Sequence, residues 1–398
     1  MTGASVRVAI PPVEGARCRV RPCLTSSTVV NRGATVPAKN AGMVLKKSRE
    51  LSRLRELCAL DLPTPLVMPT LLAELHALVP SSRNLFDWCD GDGALTRYCV
   101  EGPVDEAVAR LYFDEFHNKR EAEAMPSFAQ VLRSGAVLNS AAQLDTARFL
   151  KSALYAEIWR PQGFRYRVEL IVRSPAGRPL GSLVLYRAPG EPRFKAAEEA
   201  RLLPLLPYLA QALGRDAVPR CAPEHWLPAP EPAEVLLLDE AGRRRHASSG
   251  AERLLLQAGP GPGLPLAAPT PDDLLATLQV QARQGPVVHL VDSPWGRFEF
   301  SARRLTAVEG DAPSWTQVQL RRFEPRSLVD ERRLQRFELS SGQSAVARLL
   351  LRGLAQGEIA QRLNVAPSTV VDHTRKLYQR LGVRSARELV DRVRSAPD

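Results

Sequence analysis

The chain contains no stretch of about 18 uncharged apolar residues; its most apolar run, 202–213, is shorter and holds Pro204 and Pro207, so no membrane-spanning helix is expected. An apolar N-terminal segment is missing as well, since Arg7, Glu14, Arg17, Arg19 and Arg21 interrupt it. No secretory signal is therefore expected, and the expected compartment is the cytoplasm. The six cysteines, at 18, 23, 58, 89, 99 and 221, form no CxxC pair and stand beside no histidine cluster. That pattern excludes zinc-ligand spacing and a disulfide framework, and leaves reduced thiols. Catalytic signatures are lacking too: there is no HExxH, Walker loop, GxSxG, kinase loop or clustered carboxylate motif. The chain is thus expected to be no enzyme, with no catalytic residue, metal or cofactor.

What is present is ordinary in amount and uneven in placement. Hydrophobic residues make up 44% and charged residues 24% of 398, enough to bury sizeable cores in two or three domains. The net charge is +11, of which residues 1–42 carry +5 and residues 326–398 carry +6, leaving a neutral middle. A basic C-terminal end on a neutral body points to a polyanionic partner, although a solvated charged face has the same composition. Residues 1–42 mix Pro, Gly, Thr, Ser and Arg without periodicity and read as a disordered basic leader. Met43 precedes the first helical pattern, so translation from Met43 and a genuine arm from Met1 are equal alternatives.

Leucines at near-helical spacing predict two helices, one through Leu45–Leu60 and one through Pro69–Val79. The run Asn84–Val100 then predicts a hairpin turned by Asp90-Gly91-Asp92-Gly93; Ala94 in the next ligand position argues against calcium. Strands over Tyr166–Val172 and Leu180–Tyr186 form a second hairpin. The helix after it carries Leu202, Leu206, Leu209 and Leu213, either a core stripe or a dimer seam, with kinks at Pro204 and Pro207. The order Tyr155…Trp159-Arg160-Pro161-Gln162-Gly163, Leu180–Arg187, Phe194 and Leu203–Leu209, with Leu78-Val79-Pro80 and Phe86-Asp87-Trp88 upstream, resembles the GAF-like sensor domain of bacterial regulators and assigns it to 43–216.

The Pro- and Ala-rich stretch 217–232 reads as a linker. Beyond it come a strand at Glu234–Asp239, a turn at Glu240–Arg243, a short helix at Ser249–Leu256, and strands at Val287–Val291, Arg297–Ser301 and Thr316–Arg321. This order is similar to a PAS-like domain, assigned to 233–325. The loop of glycines and prolines at 259–265 is no phosphate site, because proline has no N–H to offer. Leu328, Leu334 and Phe337 predict a helical connector over 326–338.

Residues 339–398 carry the most specific pattern. Leu339-Ser340-Ser341-Gly342-Gln343 leads into a helical run through Val346, Leu349 and Leu350, stopped by Gly353. Glu358–Leu363 forms a short helix, Asn364-Val365-Ala366 a turn, and Pro367 opens a longer helix to Leu381. Two helices around a three-residue turn make a helix-turn-helix, whose second helix enters the DNA major groove. Val370, Leu377 and Leu381 share one face, expected to pack on Ile359, Leu363 and Val365, while Ser368, Val371, Asp372, Arg375, Lys376 and Gln379 face outward. Ser385-Ala386-Arg387-Glu388 reads as a capping box opening the last helix.

Leu339-Ser340, Arg352-Gly353-Leu354, Glu358-Ile359-Ala360, Ser368-Thr369-Val370, His373 and Leu381–Ser385 together resemble the LuxR-type (GerE-like) four-helix DNA-binding domain. Four departures, Gln343, Ala347, Ala366 and Thr374, imply weaker helix ends rather than lost function. The resemblance implies a fold of α+β GAF/PAS-like sensor domains followed by an all-α head, and a transcription regulator that binds double-stranded DNA, as a homodimer. Base contacts are implied for Val371, Asp372 and Arg375, phosphate contacts for Ser368, Thr369, Lys376 and Arg380, dimerisation for Leu389, Val390 and Val393, and a packing role for His373. RNA polymerase and an unknown small-molecule signal stand as further candidate partners; no membrane is expected. Two alternatives stay open: a signalling enzyme with an accessory DNA domain, and a constitutive binder whose body only makes protein contacts.

Overall fold

A computed structural model describes residues 49–396 apart from 61, 91, 103–104, 141–143, 145, 217–224, 260–270, 294 and 307–312. The basic leader, the choice of start, and nearly all of the glycine-proline loop lie outside the described residues. The expected helices are there: α1, described over 49–58, and α2 (Thr64–Leu78), which turns Leu71, Leu72, Leu75 and Leu78 into the core. They cover a sheet built from β1 (Arg83–Cys89), β2 (Leu95–Val100), β3 (Leu138–Asn139), β4 (Tyr166–Arg173) and β5 (Pro179–Arg187), in the order β2-β1-β5-β4-β3 and antiparallel throughout. Short helices α3 (Glu106–Leu111), α4 (Phe128–Arg133) and α5 (Ala147–Leu150) lie in the long connection between β2 and β4. The β1–β2 turn needs no metal, because the Asp90 carboxylate accepts from the Asp92 and Ala94 amides at 2.9 Å and Gly93 takes φ 84°. Gly181 lets β5 close on β1: a Cβ there would collide with the Asp87 carbonyl and the Phe86 ring.

The prolines break the following helix as expected. α6 (Ala196–Leu202) stops, a 3₁₀ turn holds Leu203–Leu205, and α7 (Leu206–Asp216) resumes. Leu202, Leu209 and Leu213 are buried in the chain's own core, so the stripe is core rather than a dimer seam.

The second sheet contains β6 (Trp226–Pro228), β7 (Glu234–Leu238), β8 (Arg244–Ala247), β9 (Val287–Ser293), β10 (Gly296–Leu305) and β11 (Trp315–Pro325), ordered β8-β7-β11-β10-β9 with β6 paired to the end of β11. Counting each sheet's five main strands in chain order, both run second, first, fifth, fourth, third. Against its faces lie α8 (Ala251–Ala258) and α9 (Pro271–Ala282). Three elements differ from expectation. The linker contains strand β6, because Trp226–Pro228 completes the ladder of β11; β8 and α9 had no counterpart in the sequence reading. One hydrophobic core spans both sheets, from Leu54 to Leu328, with Trp88 and Trp295 edge to face at 5.7 Å between them.

β11 runs directly into α10 (Arg326–Gln335), and four further helices form the head: α11 (Ser341–Leu351), α12 (Gln356–Leu363), α13 (Pro367–Leu381) and α14 (Ala386–Arg394). The chain is thus multidomain, α+β and then all-α. Leu328 belongs to the core of the sheets and Leu334 to that of the head. Arg348 of α11 reaches Glu331 of α10 at 2.7 Å and Glu56 of α1 at 3.5 Å. Glu331 is 1% exposed, and burial pushes its carboxyl up to about 7, with Glu56 adding to the rise and Arg348 opposing it.

The folded chain therefore holds the Glu331 proton to a higher pH than the unfolded chain does. Its contribution to stability is full below pH 4.5, the ordinary carboxyl value, and is lost as pH rises to about 7. Chemical denaturation across that window should show falling stability in the natural protein and a flatter profile in Glu331→Gln. Equal slopes would contradict the assignment.

Candidate nucleic-acid interface

The head is built by its caps as much as by its core. Ser340 opens α11 with a complete capping box: its hydroxyl accepts from the Gln343 amide at 3.3 Å, and the Gln343 side-chain oxygen accepts from the Ser340 amide at 2.9 Å. Glutamine thus serves where glutamate is usual, and the expected weakness at this terminus is not present. α12 ends on Asn364 in the left-handed region, φ 52°, which reverses the chain within the three-residue turn. Ala366 caps α13 with no side-chain bond, as expected, and Pro367 occupies the first turn. The last helix departs by one position: Ser385 accepts from the Glu388 amide at 3.1 Å, but Glu388 reaches back to the Arg384 amide, at 2.9 Å, rather than to that of Ser385.

One face of α13 is wholly committed to the core. Val370 and Leu377 are fully buried, Thr374 is 3% and Leu381 7% exposed, in a cluster that includes Val346, Ile359 and Leu389. Val365, expected to join them, is instead 39% exposed. The His373 ring packs over the helical Gly342, where a Cβ would fall 2.7 Å from it, so His373 is a packing residue.

The opposite face carries Ser368, Val371, Arg375, Lys376, Gln379 and Arg380, all exposed. Val371 is 52% exposed, unusual for valine and suited to a methyl contact. Asp372 lies between two cations: the Arg375 guanidinium donates to it at 2.9 Å and the Lys376 ammonium sits 2.7 Å from its other oxygen. These contacts, Lys376 first, hold the Asp372 carboxyl below its ordinary range. Val371, Asp372, Arg375 and Lys376 are therefore brought together on one surface, with Ser368 and Thr369 one turn earlier. Arg380 stands apart, its Nε donating to the Phe337 carbonyl at 3.3 Å and its guanidinium 3.9 Å from Glu338.

The expected dimerisation residues are corrected. Leu389 and Val393 have no exposed surface, because they close the head's own core from α14; only Val390 is half-buried. A residue the sequence reading missed is Arg348, which joins head to body; its partner Glu56 is too distant in sequence for any local pattern to announce it. Among the described residues no group of His, Cys, Asp or Glu could hold a metal, and no helix is long and apolar enough to cross a membrane.

Residues 338–393 match the family described as bacterial regulatory proteins, luxR family. No curated protein matches the chain. Solved structures with partial likeness include the GAF domain of the cyanobacteriochrome TePixJ, 17% identical over 40% of this chain and 93% of that one, TM-score 0.29. The Vibrio cholerae VqmA dimer, described as a LuxR-type receptor, is 19% identical over 40% of this chain and 81% of that one, TM-score 0.18. The Escherichia coli DhaR(N)–DhaL complex is 13% identical over 72% and 90%, TM-score 0.23.

The Thr374 hydroxyl is buried without a hydrogen-bond partner among the described residues. Thr374→Val keeps the shape and removes the unpaired group, and should stabilise the head by about 1 kcal/mol. Thermal unfolding checks this; a lower midpoint would mean that the hydroxyl is bonded in solution.

Proposed function

With residues 338–393 a luxR-family helix-turn-helix domain, we propose that the chain is a bacterial transcription regulator that binds duplex DNA in the major groove as a homodimer, under the control of a signal-sensing body. The observation that carries the reading is the division of α13, whose one face is spent on the core while the other presents Val371, Arg375 and Lys376 to solvent. In this reading Arg375 makes a bidentate contact with guanine and Val371 touches a thymine methyl. Asp372 accepts from cytosine or steers the two cations it already holds. Ser368, Thr369, Lys376 and Arg380 meet phosphates, which fix register without reading sequence. The exposed ion pairs at Asp372 are weak beside a bidentate base contact, so DNA can recruit both cations.

The proposed body comprises a GAF-like domain over 43–216 and a PAS-like domain over 233–325, a reading supported by the identical strand order of the two sheets. Residues 326–338 connect it to the head at 339–398. Pairing of two copies falls to the body in this account, since α14 has little apolar surface left. Edge strand β9 exposes Val288 and Leu290, 62% and 55%, and is the surface proposed to pair. The protein would work in the cytoplasm, where the duplex is.

On the duplex that the protein selects, Arg375→Ala should relax preference at one position per half-site and cost about 1 to 3 kcal/mol, whereas Lys376→Ala should weaken all sequences alike and flatten the salt dependence. Titrations at two salt concentrations separate the two; unchanged preference and unchanged salt slope in both variants would displace the recognition face.

Residues 326–398 alone should bind a full site more weakly than the whole chain in at least one ligand state, since the paired body raises the heads' effective concentration. Equal affinity at matched salt would favour the constitutive-binder alternative.

A further inference from the structure

The first domain holds a cavity of about 130 Å³, partly open to solvent, between its sheet and the short helices that follow β2. Its walls are aromatic. Tyr98 and Phe113 form one ring pair, with centroids 5.5 Å apart; Tyr186 joins Phe164, stacked at 4.1 Å, to Trp159, edge-on at 5.4 Å.

Two of the three carboxylates behind these rings are satisfied by the protein. Glu169 takes the Arg167 guanidinium at 2.9 Å, the Asn139 amide at 3.0 Å and the Ser182 hydroxyl at 2.9 Å. Glu121 accepts from the Tyr112 hydroxyl at 3.0 Å and from the Asn118 and Phe128 amides. Asp87 is different. It stands in the middle of β1, is half-buried in the cavity lining, and its side chain has no hydrogen-bond partner among the described residues.

Size and charge narrow the guest. A closed cavity of about 150 Å³ takes up benzene; this slightly smaller one is partly open to solvent, so it fits a single ring with a short substituent and cannot enclose a nucleotide or a tetrapyrrole. The lining carboxylates are Asp87, Glu121 and Glu169, against the guanidiniums of Arg83 and Arg167, and the Arg83 Nε is turned to the Glu101 carbonyl. The His117 imidazole in the same lining, held below its ordinary range by burial, adds no charge at pH 7, so the balance is zero with Asp87 protonated and one negative charge with it ionised. An anion finds no net positive charge in this lining, whereas an N–H donor satisfies the one unpaired acid.

We infer that this cavity binds a small single-ring organic amine, its ring between the aromatic walls and its N–H donated to Asp87. Burial first, then Glu169 and Glu121, raise the Asp87 carboxyl to about 8 against the pull of Arg167. An ammonium entering at pH 7 therefore displaces the carboxyl proton, which leaves to solvent, so binding releases protons. As the signal of the proposed regulator, the amine rests on that reading; as a ligand of this cavity it does not.

The test is calorimetric titration of the full chain with tyramine, 4-ethylphenol and 4-hydroxyphenylacetate, in two buffers of different ionisation enthalpy. Tyramine should bind with a dissociation constant of about 1 mM or below and about tenfold more tightly than 4-ethylphenol, with proton release. The carboxylate should not bind. Asp87→Asn should abolish the preference for the amine while keeping 4-ethylphenol, and Ala109→Leu, which fills the cavity from α3, should lose both with the fold intact by thermal unfolding. No saturable tyramine binding below about 10 mM, equal binding of the carboxylate, or an unaltered preference in Asp87→Asn would overturn the assignment. Tyramine binding that leaves DNA affinity unchanged would contradict the signal role alone; intact DNA binding without tyramine binding would contradict the cavity assignment alone.

Discussion

Helix α10 is the element on which both halves of the molecule depend. Leu328 near its start is buried in the core of the sheets, and Leu334, six residues or about 9 Å further along, is buried in the core of the head. A short helix seated in two close-packed cores cannot shift in one without disturbing the other. Charge reinforces the seating at each end. Arg322 of β11 pairs with Glu231 and with Glu324, and Glu324 also takes Arg332 of α10 at 2.6 Å. At the other end Arg348 brings α11 onto Glu331, and the Arg333 guanidinium donates to the Arg394 carbonyl of α14 at 2.8 Å. A change in the body has a path of packed contacts to the head that does not pass through the recognition surface.

That arrangement separates two tasks. α13 uses Val370, Thr374, Leu377 and Leu381 to hold its place, which leaves Val371, Arg375 and Lys376 on its outer face outside the core. Among the described residues Arg375 and Lys376 pair with Asp372 alone, and ion pairs this exposed are weak. Specificity can then change by substitution on one face without loss of the fold.

What was legible in the sequence follows from physical period. The hairpins at 83–100 and 166–187 have alternating apolar residues and a turn that needs a positive φ, at Gly93 and Gly177. The head was legible because caps, turn and apolar stripe all agree over a short span. β8 was not, since Arg244–Ala247 is exposed along its whole length and leaves no apolar alternation to read. β6 looked like linker because its pairing with β11 lies almost 100 residues away. Leu389 and Val393 were misread for a related reason: an apolar stripe on a terminal helix looks the same whether it faces a partner or the domain's own core. The pairing of Arg348 with Glu56, and the gathering of Asp87 with Glu121 and Glu169, exist only once the chain is folded.

The account stands or falls on whether the exposed face of α13 reads duplex DNA. Incubating the full chain with a pool of random duplexes, recovering what is bound at physiological salt and sequencing it after successive rounds measures this directly. The account predicts convergence on a short recurring motif, arranged as an inverted repeat that matches two heads related by symmetry. A pool that remains random after enrichment, while the protein stays folded, would contradict it.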